Sequence, residues 1–218
     1  MDNDKAEAAG TRGFDAEAAA WDDDPGRVKL SEDIARAVRQ EITLGNDMDM
    51  LDFGCGTGLL TLRLAPLVRS AVCADSSRGM LDVLQGKIEQ GGIGNVQTLH
   101  LETDGRDELA GGFHLVVSSM TLHHVPDIFR LFEKFARVTL PGGHLCIADL
   151  DPDEGKFHSS NEGVFHHGLD RSALAAAMQE AGFEEVRHRT VSGVVKFVVG
   201  EGMTVFTVFL MIGRKKPS

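Results

Sequence analysis

The chain has 218 residues, 42% apolar and 25% charged, which is enough for one large domain or at most two small ones and argues against global disorder. Its formal charge of −11 disfavours a nucleic-acid phosphate backbone as partner, and no apolar run approaches the roughly 20 residues that span a bilayer. The acidic start MDNDKAEAAG lacks the apolar segment of a signal peptide, and three dispersed cysteines (Cys55, Cys73, Cys146) without a C-x-x-C spacing read as reduced thiols in the cytoplasm.

Residues 1–12 read as a flexible tail. FDAEAAAWDDDPG then predicts a short helical stretch closing on an acidic turn, with Asp24-Pro25 as cap and first position of the next helix. Leu30, Ile34, Ala37, Val38 and Ile42 recur at helical spacing, so 26–44 is expected to be an amphipathic helix stopped by Gly45-Asn46. The chain then alternates: strand 48–53, helix 57–67, strand 70–75, helix 77–90, strand 96–101, strand 113–119, helix 126–139 ended by PGG, and strand 144–150. Near-continuous apolar strands between helices indicate a parallel sheet covered on both faces, doubly wound if its crossovers are right-handed. Residues 151–169 form a long polar loop, of the kind that is functional or mobile in compact domains. A helix over 170–181 with Asp170 as cap follows. EEVRHRTV and MTVFTVFLMIG close the chain with no helix between them, which predicts an antiparallel pair.

The stretch LDFGCGTGLLTLRLAP (51–66) carries glycines at 54, 56 and 58 directly after the first strand. A dinucleotide fold wants G-x-G-x-x-G, whereas here the third glycine comes one residue early and Leu59 holds the usual place. Glycines permit backbone angles that other residues avoid and let a ligand approach the main chain. A following helix N-terminus would favour an anionic group there, and a carboxylate serves as well as a phosphate. Asp75 ends the second strand, where an acid accepts hydrogen bonds from both hydroxyls of a ribose. The pair predicts a nucleoside across the carboxyl ends of the first two strands.

With its surroundings, the glycine loop resembles a class I S-adenosylmethionine-dependent methyltransferase. The matching stretches are LDFGCGTG (51–58), AVCADSSRGML (71–81), FHLVVSSMTLHHVPD (113–127), LPGGHLCIADL (140–150) and LAAAMQEAGFEEV (174–186). The run SS-x-x-LHHV-D is shared with small-molecule methyltransferases related to quinone-biosynthesis enzymes. The resemblance implies an α/β, doubly wound, Rossmann-like seven-stranded sheet, mostly parallel with an antiparallel C-terminal strand. It implies one domain over 13–218, with an N-terminal helical cap (13–45) and a substrate loop (151–169). S-Adenosyl-L-methionine would be the cofactor and S-adenosyl-L-homocysteine the product. Asp52 and Gly54, Cys55, Gly56, Thr57 and Gly58 would hold the methionine end, Asp75 the ribose, and Ser76 and Met80 the adenosine. The adenine amino group would meet an acid after the third strand, where Glu102, beside Thr103, is preferred over Asp104. Ser118 and Ser119 would stand beside the cofactor. Phe14 and Trp21 resemble an aromatic helix that closes the site, although the family tyrosine near Trp21 is missing.

The implied chemistry is SN2 displacement at a sulfonium methyl, and aligning the reactants is worth about 7–11 kcal/mol. A phenol or enol acceptor would want a base, for which His124, His166 and His167 are the candidates; an imidazole titrates near neutral pH. Asp149 is placed to point into the same pocket or to cap a turn. Adjacent histidines on a regular element point different ways, so neither His123-His124 nor His166-His167 is expected to hold a metal. Ser118-Ser119-Met120-Thr121 replaces the Asn/Asp-Pro-Pro-aromatic run of enzymes that methylate exocyclic base amines, which favours a small-molecule acceptor over nucleic acid. Two other readings compete: a non-catalytic protein that binds the same cofactor, and a nicotinamide-dependent dehydrogenase, which the early third glycine opposes.

Overall fold

The computed structural model describes residues 13–101 and 109–217. The expected tail (1–12) and Glu102, Thr103 and Asp104 lie outside the described residues. Helices are α1 (Phe14–Glu17), α2 (Pro25–Glu41), α3 (Thr61–Leu64), α4 (Arg78–Gly91), α5 (Ile128–Val138) and α6 (Arg171–Glu180). Strands are β1 (Asp49–Phe53), β2 (Ser70–Asp75), β3 (Val96–His100), β4 (Phe113–Ser119), β5 (Thr139–Leu150), β6 (Phe183–Val198) and β7 (Gly202–Lys215). They form one seven-stranded sheet in the order β3-β2-β1-β4-β5-β7-β6. β1 to β5 pair in parallel, and β7 runs antiparallel between β5 and β6.

Capping residues set where the helices begin. The Asp24 carboxylate accepts from the Gly26 amide at 2.7 Å, with Pro25 at the first helical position of α2. Ser77 caps α4 by accepting from Met80 N at 3.2 Å, and Asp127 and Asp170 cap α5 and α6 in the same way at 3.0 and 2.8 Å. Each such cap contributes about 1 kcal/mol.

Strand alternation divides the core between the two faces of the sheet. Met50, Leu115, Val117, Cys146 and Leu210 pack with Leu30, Ile34 and Val38 of α2 and Leu84 of α4. Leu51, Val116, Leu145, Ile147 and Phe209 pack with Phe132 and Phe135 of α5 and Leu174 and Met178 of α6. Burying each of these large side chains contributes about 1.5–3 kcal/mol, so two-sided coverage is what holds the parallel strands. The strand order reverses beside β1 and β4, which leaves a crevice at their carboxyl ends.

Three expectations are corrected in detail. The helix after the glycine loop is four residues long, because Gly58 is left-handed (φ 80°) and Pro66 cannot continue an α-helix; Ala65–Leu67 turn instead as a 3₁₀ segment. β5 begins at Thr139, before PGG rather than after it, and an irregularity follows its pairing with Phe113. β6 and β7 pair as far as Val198 and Gly202, well past the last β5–β7 pair, Leu150 with Val208. The projecting hairpin supports the polar loop, with Lys196 Nζ donating to Phe157 O at 2.8 Å and the Phe157 ring lying 5.5 Å from Phe206. Among the described residues, no helix is long and apolar enough to cross a membrane.

Candidate functional site

The glycine loop is held rigidly. Gly54 N and Cys55 N both donate to Ala74 O of β2, at 2.8 and 3.2 Å. Gly54, Gly56 and Gly58 are all left-handed, with φ of 71, 54 and 80°. A Cβ at 54 would stand 2.2 Å from Thr121 Oγ1, and one at 58 would stand 2.4 Å from Leu84 Cδ1. At 56 the nearest atom would be Met80 Sδ, 4.0 Å away. Packing alone therefore demands glycine at 54 and 58, whereas Gly56 faces open space beside the main chain. That bare face is what a ligand lying on the loop requires, and it fits the glycine reading.

Asp75 secures the loop from the neighbouring strand. Its Oδ2 accepts from Gly56 N at 2.7 Å and its Oδ1 from Ser77 N at 2.9 Å. An ionised carboxylate offers about four acceptor positions, so capacity remains for hydroxyl donors. Burial raises its pKa against those amide contacts. Asp52 is fully buried and accepts from the Thr61 hydroxyl. Burial, and then the charge of Asp75, push its pKa up to about 7. The short α3 supplies no helix end for an anion, so the expected dipole effect has no element to act through. Cys55 is buried and its thiol is pushed well up by burial, which makes it a filler of the turn rather than a nucleophile. Met80 is buried under α4's first turn, and the Ser76 carbonyl is 3.2 Å from His100 Nε2.

The end of β4 forms the second wall. Ser118 Oγ donates to Phe53 O at 2.8 Å and ties β4 to β1, while the Ser119 carbonyl accepts from Thr121 Oγ1 at 3.0 Å. Met120 is left-handed (φ 55°), an uncommon state for a side-chain-bearing residue that throws the chain into a 3₁₀ turn over Leu122–His124. Asp149, wholly buried, fixes this turn by accepting from Leu122 N at 2.9 Å, Leu150 N at 2.7 Å and His123 Nδ1 at 2.6 Å. Burial opposes the charge of Asp149, but His123 and the amides hold its pKa below the usual value. Burial likewise opposes charge on His123, and Asp149 outweighs it and raises the imidazole.

The histidines are not arranged as adjacency alone implies. On the 3₁₀ turn the rings of His123 and His124 come within 4.2 Å of one another, and His158 from the polar loop lies 5.1 and 5.3 Å from them. Burial, then the charges of His123 and His124, push the His158 pKa down to about 4. His124 Nδ1 donates to Gly163 O at 2.7 Å. His166 Nε2 donates to Val125 O at 2.9 Å, and its amide donates to His123 O, so it buttresses the turn. His167 is exposed beside Gly155.

The N-terminal cap lies over both walls. Phe14 packs edge-on to Trp21 (5.9 Å) and to His124 (5.4 Å), and the Arg27 guanidinium sits 3.6 Å above Trp21. Asp22 accepts from Thr57 Oγ1 at 2.6 Å and pairs with Lys87, whose Nζ also donates to Thr57 O at 2.7 Å. Asp15 accepts from Ser77 Oγ and from Gly79 N, the latter at 2.9 Å. Asp15, Asp22, Lys87, Thr121 and His158 escape a motif reading because they act through partners distant in the chain. The DDD run around Asp22 and the glycine at 79, where a Cβ would meet Asp15 backbone at 2.9 Å, were the only local signs.

Residues 50–143 match the family model described as a methyltransferase domain. An uncharacterized methyltransferase of Schizosaccharomyces pombe is 32% identical over 135 residues, covering 56% of this chain and 48% of that protein. The ubiquinone/menaquinone biosynthesis C-methyltransferase UbiE of Vibrio campbellii is 28% identical over 174 residues, covering 66% and 67%. The chain spans about half the length of the first curated relatives it matches, 48% and 43%. In three dimensions it is similar to a SAM-dependent methyltransferase from Aquifex aeolicus, with a TM-score of 0.66 and 19% identity over 92% of this chain and 97% of that one. The early third glycine, the acid ending β2, the 3-2-1-4-5-7-6 sheet and these similarities agree: residues 50–143 match a methyltransferase domain, and the chain is similar in sequence and fold to S-adenosylmethionine-dependent methyltransferases, a quinone-biosynthesis enzyme among them.

Proposed function

We propose that this protein transfers a methyl group from S-adenosylmethionine to a small-molecule acceptor. The observation that carries the reading is the open face of Gly56, whose amide donates to Asp75. When bound, the cofactor supplies a sulfonium-activated methyl group open to SN2 displacement. The bare main chain of Gly54–Gly58, with Cys55 and Thr57 in the turn and Asp52 bracing it from below, would receive the amino-acid portion. Asp75 would accept from the ribose hydroxyls, Ser76 and Met80 would flank the adenosine, and Glu102 and Thr103 would meet the adenine. Ser118 and Ser119 would form the floor, while Phe14 and Trp21 exclude water.

On the acceptor side, His124 is the candidate base whose ring packs on Phe14 of the lid; the His166 ring is tied to Val125 O, and His167 is exposed beside Gly155. The acidic chain and the Ser118–Thr121 run support a small molecule rather than nucleic acid. Three buried free cysteines fit a reducing compartment such as the cytoplasm.

Titration calorimetry with S-adenosylmethionine and S-adenosylhomocysteine should show one saturable site. Asp75→Ala should weaken it about 10- to 100-fold, the equivalent of a charged hydrogen bond at about 1.5–3 kcal/mol. Methyl-labelled cofactor in a metabolite extract should yield a labelled small product. Unchanged affinity in Asp75→Ala would overturn the ribose assignment, and binding without label transfer would favour a non-catalytic role.

A further inference from the structure

We propose that His123, His124 and His158 form a binding site for a divalent transition metal of the zinc class. Each offers one ring nitrogen, and the three nitrogens lie within 4.8 Å of one another. Tetrahedral zinc with Zn–N bonds of about 2.0–2.1 Å sets its nitrogens about 3.4 Å apart, so the rings need only a small inward shift. Among the described residues, His123 Nε2 and His158 Nε2 are buried with no hydrogen-bond partner. A buried polar atom left so costs about 1–3 kcal/mol, and a metal bond would satisfy both at once.

The surroundings are built for a cation. His123 is 1% exposed and donates Nδ1–H to the buried Asp149, which fixes the tautomer and leaves Nε2 as the lone-pair nitrogen. A carboxylate behind a ligating imidazole is the usual way to orient and strengthen such a ligand. His124 Nδ1 donates to Gly163 O, which makes its Nε2 the ligating atom by the same logic. Asp153, buried in the polar loop and held by Gly155 N and Phe157 N at 3.0 Å each, adds a second negative charge that acts on His123. Three imidazoles suit zinc among the available divalent ions, and a three-histidine set leaves a fourth position for water or for an acceptor oxygen or sulfur.

The ligand set joins the turn after β4 to the 151–169 loop and touches the lid through Phe14, so the ion would also fasten these segments together. Its placement beside a methyl acceptor rests on the methyltransferase reading; metal binding itself does not. In that place the ion would bind the acceptor's heteroatom and lower its pKa, with His124 acting as ligand rather than as free base.

The test uses the full chain stripped with chelator, titrated with Zn²⁺ by calorimetry and with Co²⁺ by visible absorption. One ion per chain is expected, with tetrahedral Co²⁺ bands and a raised melting temperature. Asp149→Asn, which perturbs the ring orientation, should lower affinity about 10- to 100-fold. His158→Ala and His124→Ala each remove a ligand and should lower it further, with unchanged circular dichroism. His188→Ala, on the exposed side of β6, should bind like the parent. Absence of a saturable one-to-one site, or parent-like affinity in His158→Ala, overturns the proposal. Titration with S-adenosylmethionine on the same samples separates the two readings: zinc uptake without cofactor binding leaves the metal site standing and removes the methyltransferase assignment.

Discussion

Alanine at position 56 should separate ligand binding from stability, whereas alanine at position 58 should not. Both glycines are left-handed, at φ 54 and 80°, and a Cβ in that region costs about 1–2 kcal/mol. At 56 nothing further is added, since the nearest atom to the new Cβ is 4.0 Å away. At 58 the Cβ meets Leu84 Cδ1 at 2.4 Å, and Leu84 is fully buried, so its side chain has nowhere to go. Overpacking of that kind adds about 1–3 kcal/mol. Gly56→Ala should therefore lose about 1–2 kcal/mol and Gly58→Ala about 2–5 kcal/mol. At about 2–4 °C per kcal/mol for a domain of this size, the first shift is several degrees and the second up to about 20 °C. Urea and thermal melts measure the stability, and calorimetry with S-adenosylhomocysteine measures binding. Gly56→Ala should lose more than about tenfold in affinity because its methyl enters the crevice; each 1.4 kcal/mol lost is tenfold. If Gly56→Ala binds like the parent, the open face is not the ligand's seat. If Gly58→Ala melts where Gly56→Ala does, the packing argument is wrong.

Three further outcomes follow from the site's carboxylates. The Asp52 pKa, raised to about 7, means that the native state holds this proton more tightly than the unfolded chain does, so stability is full below pH ~4 and falls as pH rises to ~7. Asp52→Asn should remove that slope, and urea melts at pH 5 and 8 should show a gain over the parent at pH 8 of at most about 4 kcal/mol; a slope identical in both proteins would refute it. Asp149→Asn removes the charged acceptor of the His123 Nδ1–H in the core and should cost about 1.5–3 kcal/mol in urea melts, a loss below about 1 kcal/mol counting against the buried pair. Asp22→Ala breaks the cap's bonds to Thr57 and Lys87; the Asp22–Lys87 pair is partly exposed, so the change should lower stability by no more than about 1 kcal/mol. It should nevertheless speed hydrogen exchange over 13–24, and unchanged protection there would show that the cap is held by Phe14 and Trp21 instead.

Where structure is set within a few residues, the sequence was readable. Asp24-Pro25 and Asp170 bond to amides two or three residues on, as expected of caps; Ser77 and Asp127 do the same, although the expected helices 77–90 and 126–139 place them inside rather than at the cap. The alternation of Leu115, Val116 and Val117 between the two faces explains why continuous apolar runs meant a sheet covered on both sides. The failures arose where local rules compete. Apolar periodicity over 57–67 predicted a helix, but the left-handed Gly58 and the missing N–H of Pro66 confine it to one turn. PGG predicts a break before β5, yet Thr139 already pairs with Phe113, and the register shift before Leu115–His144 takes up the intervening residues.

The histidine geometry shows why the site was harder to read than the fold. The argument that neighbouring side chains diverge holds on a strand or an α-helix, and His123-His124 lie on neither. Met120 enters the left-handed region, and Asp149, 26 residues from His123 in sequence, pulls in both the His123 ring and the Leu122 amide. That buried carboxylate, not a motif, converts a dipeptide into two rings on one side of a tight turn. His158 joins them only because Asp153 folds the polar loop by accepting from Gly155 and Phe157, while Lys196 of the projecting hairpin holds the Phe157 carbonyl. A site assembled by two buried aspartates from three chain segments has no linear signature; its trace is energetic, in two buried ring nitrogens without partners among the described residues.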